Sequence, residues 1–464
     1  MSPADLTARE QVRLIEDRGL SARELLVACR KRAESTEPVV NALVTLDWEY
    51  AESLAAALDA DPGLSPDAPL RGLVIAHKDL LDVAGVRTTY GSPLFIDHVP
   101  VVSHPIVDLL AEAGTVRVGK TNTPEFGAGS HTFNPVHGLT RNPWDPTRSA
   151  GGSSGGAAAA LACGSLSLAD GSDLGGSLRN PASFCGIVGL RPSSGSIPGF
   201  APLDDRLGMS TQGPMGRTVD DVALFHAVLV GGAPSVVAHR PKRLLVSVDH
   251  GDLPVDPEVR RVVAAVVEAL SDSGWEIHES RPPLDGADEC FQTLRALGFA
   301  TSLGALSEEV SLKATIRQEI REGLLLEVDA LTRAVAEERR LRSCWDDFLG
   351  PDEVLLTPTS QVPPFPVGEE WVREVEGRNL GRYTDWMRSC SRLTVPGGPS
   401  ISIPAGWSAE GLPIGIQLSG ARNRDRRLLE VAAAAEEVLG TGPRPPLEAL
   451  AACDPASLPR GPIQ

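Results

Sequence analysis

Residues 151–177 read GGSSGGAAAALACGSLSLADGSDLGGS. Two glycine–serine knots flank a run of small apolar residues, which predicts a helix over 155–163 and then a strand in SLSLAD, residues 165–170. Glycine and serine in such knots suit a flexible connection, a phosphate cradle or the wall of a reaction site. A P-loop needs GxxxxGK[ST], and neither knot supplies the lysine; the dinucleotide fingerprint GxGxxG is absent as well. What remains is a pair of serines, Ser153 and Ser177, in glycine settings that let backbone N–H groups approach a small ligand closely.

On either side of this stretch, strands and helices alternate. The capping box SARE opens a helix near Ser21 that carries Leu25, Leu26 and Cys29 at helical spacing. GLVIAHK (72–78) predicts a buried strand, HPIVDLLAEAG (104–114) a helix and TVRVGK (115–120) a strand. GIVGLRP (186–192) predicts another strand. Further on come a helix over 256–270, a short strand in WEIHES (275–280) and a mainly helical, charged region over 286–347. Strands in EVLLTP (353–358), SISIPA (400–405) and LPIGIQLSG (412–420) precede a last helix over 424–439. The pattern predicts an α/β fold with a mixed β-sheet core covered on both faces by helices.

Composition narrows the function. With 42% hydrophobic residues in 464, the chain has the material for a large buried core. A formal charge of −18 opposes binding to nucleic-acid phosphates or anionic membranes, and no run of Lys or Arg makes a local basic patch. The N-terminus is charged from the start and no segment approaches the length of an apolar membrane span, so a cytoplasmic location is expected. Seven scattered cysteines form no CxxC pair, and nine histidines show no HxxxH or HExxH spacing. Free thiols are expected, and neither a metal nor a cofactor.

A serine nucleophile needs a base for its proton and donors for an oxyanion. The turn DLGGS, followed by a short helix in LRNPASF, can converge the N–H groups of Leu174, Gly175, Gly176 and Ser177 on one point. No histidine has a context that recommends it as the base. Lys78, at the end of the GLVIAHK strand, is the other option, because desolvation favours its neutral form. To be neutral at pH 7 it must titrate about 3 pH units below its ordinary value near 10.4, on the order of 4 kcal/mol of differential interaction.

These residues, taken together, resemble the amidase signature family of serine hydrolases, which use a Ser-Ser-Lys triad. The resemblance rests on both knots, 24 residues apart, on the RNPASFCGIVGLRP that follows and on the upstream lysine in AHKDLLDVAG. VGKTNTPEFG, TRNPWDPTRSAGG, GPMGRTVDDVALF, LLTPTS and PSISIPAGWSAEGLPIGIQLSG extend it over nearly the whole chain. It implies Ser177 as nucleophile, Ser153 as the bridging serine after a cis Gly152–Ser153 peptide, and Lys78 as base. It also implies support from Ser154, Asp173 and Arg179 and a substrate contact at Gly127. Ser172 stands where the family commonly has threonine, a departure that keeps the hydroxyl.

The expected activity is hydrolysis of a carboxamide through an acyl-Ser177 intermediate, on one amidase signature domain spanning 1–464. Residues 65–230 would form its signature core, 240–395 a variable, mostly helical region shaping the substrate pocket, and 440–464 a peripheral proline-rich tail. Trp371, Tyr383 and Trp386 are read first as core. The expected partner is a small-molecule amide, with no nucleic acid and no membrane, and a homodimer is left open. A competing reading within the family is the glutamine-hydrolysing A subunit of a tRNA-dependent amidotransferase, although those proteins carry SLDQIGP where this chain has GMSTQGP (208–214). An acyl transferase and a catalytically silent binding protein on the same fold stand beside it as competing readings.

Overall fold

A computed structural model describes residues 2–61, 68–197 and 209–462 of the chain. Gly208, the first residue of the GMSTQGP stretch, lies outside the described residues, as do the last two of the tail. Among the described residues, eleven strands form one sheet. Numbered along the chain they are β1 Leu43–Val44, β2 Val74–Lys78, β3 Val116–Thr121, β4 Leu168–Asp173, β5 Val188–Arg191, β6 Thr211–Gly216, β7 Arg243–Val246, β8 Ile277–Glu279, β9 Glu353–Pro358, β10 Ser400–Trp407 and β11 Pro413–Gly420. Their order across the sheet is β1-β3-β2-β4-β6-β5-β10-β11-β9-β7-β8. The β3-β2-β4 and β9-β7-β8 pairings are parallel and the rest antiparallel, so the sheet is mixed.

Side-chain alternation explains why helices cover both faces. Leu244 and Val246 of β7, with Val354 and Leu356 of β9, pack into a core shared with the helices Pro257–Asp272 and Asp425–Leu439. Leu245 and Leu355, one residue out of step, point the other way into a core shared with Ala287–Leu303 and Val328–Phe348. A third cluster joins β2, β3 and β4 to the helices Ala22–Val40, Gly155–Cys163 and Val219–Val230. The α/β reading therefore holds.

Local chemistry sets the element ends. Ser21 Oγ accepts from Glu24 N at 3.1 Å while Ser21 N donates to Glu24 Oε2 at 2.9 Å, closing the expected capping box. The Gly155–Cys163 helix is buried at every position, as a helix apolar on all sides must be. The strand expected at 165–170 begins and ends three residues later, at Leu168 and Asp173. The glycine in DGSD reads as a loop, yet Gly171 is held in the strand by pairing with Gly213, and it must be glycine because a Cβ there would come within 2.7 Å of both Leu178 Cδ2 and Ser154 Oγ. β6 pairs with this extension in antiparallel register from Ala169↔Met215 to Asp173↔Thr211, a strand that the local sequence does not announce. The tail is mostly exposed, but it is not wholly peripheral: Leu450 is 3% exposed and belongs to the core around Ala22–Val40.

Candidate active site

The site begins where β2 ends. Lys78 is fully buried, and its Nζ donates to Ser153 Oγ at 2.7 Å, Ser154 Oγ at 2.9 Å and Ser172 Oγ at 2.9 Å. Burial brings its pKa down to about 7, against the opposing pull of the Asp173 and Asp170 carboxylates. The neighbours of Lys78 turn away from this cluster. Asp79 accepts from the Thr89 hydroxyl at 2.5 Å, and His77 Nδ1 sits 2.5 Å from Asp170 Oδ2. Asp170 Oδ1 accepts from the backbone N–H of Lys78 at 2.8 Å, so one carboxylate grips the strand at both His77 and Lys78.

The two knots meet across a backbone hydrogen bond, Ser154 N to Ser177 O at 3.2 Å. The Gly152–Ser153 peptide is cis. Around the first knot, Ser130 Oγ donates to Gly152 O at 2.9 Å and Thr132 Oγ1 to Gly151 O at 2.8 Å. At the second, Gly176 adopts φ +119, and a Cβ there would approach Cys390 Cβ to 2.7 Å, so only glycine fits the turn without displacement.

Asp173 holds the second turn together. Its carboxylate accepts from Arg179 Nε at 3.0 Å, Arg179 Nη2 at 2.9 Å, Leu178 N at 3.1 Å and Gly176 N at 2.8 Å. Burial alone would raise its pKa; Arg179 and Arg191, with these hydrogen bonds, hold it at about 2. Of the four amides expected to converge, that of Gly176 donates to Asp173, because a buried carboxylate at the strand end draws a nearby N–H. Arg179 also reaches Cys390 O at 3.2 Å and Gln417 Oε1 at 3.1 Å, tying the turn to the C-terminal strands.

Ser153, Ser172, Ser177, Gly127 and Leu174 line a cavity of about 350 Å³. Gly127, at φ +71, would place a Cβ 3.5 Å from Ser153 Oγ, so its bareness keeps the approach to that hydroxyl open. Helix Ala287–Leu303 supplies Leu294, Arg295, Gly298, Phe299, Ser302 and Leu303 to the opposite wall. Trp371, Tyr383 and Trp386 are buried together with Phe184 and Phe365, in a cluster beside the cavity. Cys163 and Cys185 are buried thiols, and burial pushes Cys163 up to about 12, so neither is a nucleophile at neutral pH. Among the described residues, no group of His, Cys, Asp and Glu is arranged to hold a metal ion, and no helix is long and apolar enough to cross a membrane.

Reading the sequence alone misses Asp170 as a partner of Lys78, the Ser172–Lys78 contact and the identity of the pocket-wall residues. Asp170 and Ser172, two apart on β4, share a strand face, and that spacing is the available signal once the strand is seen to continue. The pocket helix carries no local signal at all.

A mixed sheet wrapped by helices, with a buried lysine bound to serines from a glycine-rich turn, defines an enzyme class. Residues 24–429 match the amidase family model, and the chain belongs to that family of amide-hydrolysing enzymes. It is 32% identical over 473 residues to an acylamidase of Rhodococcus erythropolis, covering 96% of this chain and 98% of that protein. It is 29% identical over 486 residues to a glutamyl-tRNA(Gln) amidotransferase A subunit of Clostridium acetobutylicum, covering 94% and 100%. A crystal structure of an amidase superposes with a TM-score of 0.85 at 32% identity, over 94% of this chain and all of the other.

Proposed function

We propose that this enzyme hydrolyses a carboxamide to a carboxylic acid and ammonia or an amine through an acyl-Ser177 intermediate. The observation that carries the reading is Lys78 Nζ, 2.7 Å from Ser153 Oγ and brought by burial to a pKa of about 7, beneath a cavity onto which Ser177 opens. A neutral Lys78 takes the Ser153 proton while Ser153 takes that of Ser177, and Ser177 Oγ attacks the amide carbonyl. The amides of Leu174, Gly175 and Ser177 are the donors left for the oxyanion, with Gly176 holding the turn through Asp173. The proton returns through Ser153 to the leaving nitrogen, and water then cleaves the acyl-enzyme by the same relay. Ser154 and Ser172 hold the lysine in place, and Arg179 holds Asp173. The seven free cysteines, five of them buried, fit a reducing compartment such as the cytoplasm.

The test is release of ammonia and acid from aliphatic, aromatic and amino-acid amides plus free glutamine, comparing the enzyme with Ser177→Ala. Turnover of simple amides that disappears in the variant is the expected result. Hydrolysis of glutamine alone, or only with added protein partners, would transfer the reading to the amidotransferase. Turnover that survives Ser177→Ala would remove Ser177 as nucleophile.

A further inference from the structure

Of the fifteen described residues lining the cavity, Arg295 alone is charged. It is 5% exposed, and its charge is already matched. Arg295 Nη1 lies 2.9 Å from Glu319 Oε2, itself on a buried side chain of the helix Ala314–Leu324, in an ion pair whose angles fall short of a hydrogen bond. Its Nη2 donates to the Tyr383 hydroxyl, and its guanidinium stacks on Phe299 at 4.3 Å. Glu319 stands behind the wall and does not line the cavity. The rest of the lining is chiefly apolar, with Leu80, Phe126, Leu174, Met209, Leu294 and Leu303, relieved by a few hydroxyls.

We propose, building on the hydrolysis reading above, that this pocket selects an uncharged, chiefly apolar acyl group and rejects one ending in a carboxylate, with the Arg295–Glu319 pair as the determinant. An alkyl or aryl chain entering the cavity gains about 0.8 kcal/mol for each methylene it buries. A carboxylate gains no free cation, because Arg295 is neutralised. It must either share the guanidinium with Glu319, placing two buried anions side by side, or displace Glu319 and leave that carboxylate unpaired. The same argument disfavours the zwitterionic backbone of glutamine. An arginine in a pocket wall ordinarily recruits an anion; the buried glutamate behind this one cancels that role.

The test compares matched amides by titration calorimetry on the Ser177→Ala protein, which cannot turn them over: hexanamide, the monoamide of adipic acid, and glutamine. Hexanamide is expected to bind at least about 10-fold more tightly than either charged amide. Adding Glu319→Gln frees the Arg295 charge and is expected to move the hexanamide-to-adipamate ratio by about 10-fold toward adipamate. Equal or tighter binding of adipamate or glutamine before that change, no binding of hexanamide in the millimolar range, or a ratio unmoved in a folded Glu319→Gln protein would each overturn the proposal. If Glu319→Gln does not fold, the preference of the Ser177→Ala protein decides alone. Selective binding of hexanamide, together with absence of ammonia release by the unmodified enzyme, would leave the pocket assignment standing and remove the hydrolysis reading instead.

Discussion

Lys78 is expected to show its role in the pH profile. The ordinary lysine is protonated until well above neutrality, and burial brings this one to about 7, so the neutral form that the proposed relay requires accumulates as pH rises through 7. kcat/KM should climb with pH through an acidic limb near that value. Lys78→Arg, permanently charged, should lose about 10³-fold or more with no rescue at high pH. Asp170 bonds the Lys78 backbone, and its charge favours the protonated lysine. Asp170→Asn should therefore shift the acidic limb of kcat/KM to lower pH, measurable on any amide that is turned over. A purely architectural Asp170 would lower activity without moving that limb.

Among the elements, the Gly155–Cys163 helix shows what its small residues are for. Gly156 approaches its neighbours so closely that a Cβ would lie 2.4 Å from Asn122 N and 2.7 Å from Ala42 O. Both are backbone atoms and cannot swing aside. Gly156→Ala should destabilise the protein by about 1–3 kcal/mol in denaturant titrations, the range for overpacking a tight interior. The helix itself is legible in the sequence, because a run of small apolar residues between two glycines has few other uses. The length of the following strand is not: DGSD has the composition of a turn, and only pairing with Thr211–Gly216 makes it a ladder.

Across the molecule, the Asp173–Arg179 pair joins the turn that carries Ser177 to distant chain. Arg179 donates to Cys390 O, Gln417 Oε1 and Thr394 Oγ1, more than 200 residues away in sequence. Asp173→Asn should cost about 3–5 kcal/mol in unfolding free energy, since Arg179 and Arg191 would be left buried without a full counter-charge. An Asp173→Asn protein as stable as the original would show that the pair's other hydrogen bonds carry the junction.

Residue order was enough for the α/β class, the strand that ends in Lys78, and the two serine knots. These follow from local periodicity, from glycine where backbones must approach, and from motifs whose spacing is written along the chain. Which polar groups meet was settled only on folding. The draw of Asp173 on the Gly176 amide, the grip of Asp170 on Lys78, and the cancellation of Arg295 by Glu319 arise between elements. A charge's worth in a buried site depends on what faces it across space, and sequence order does not record that.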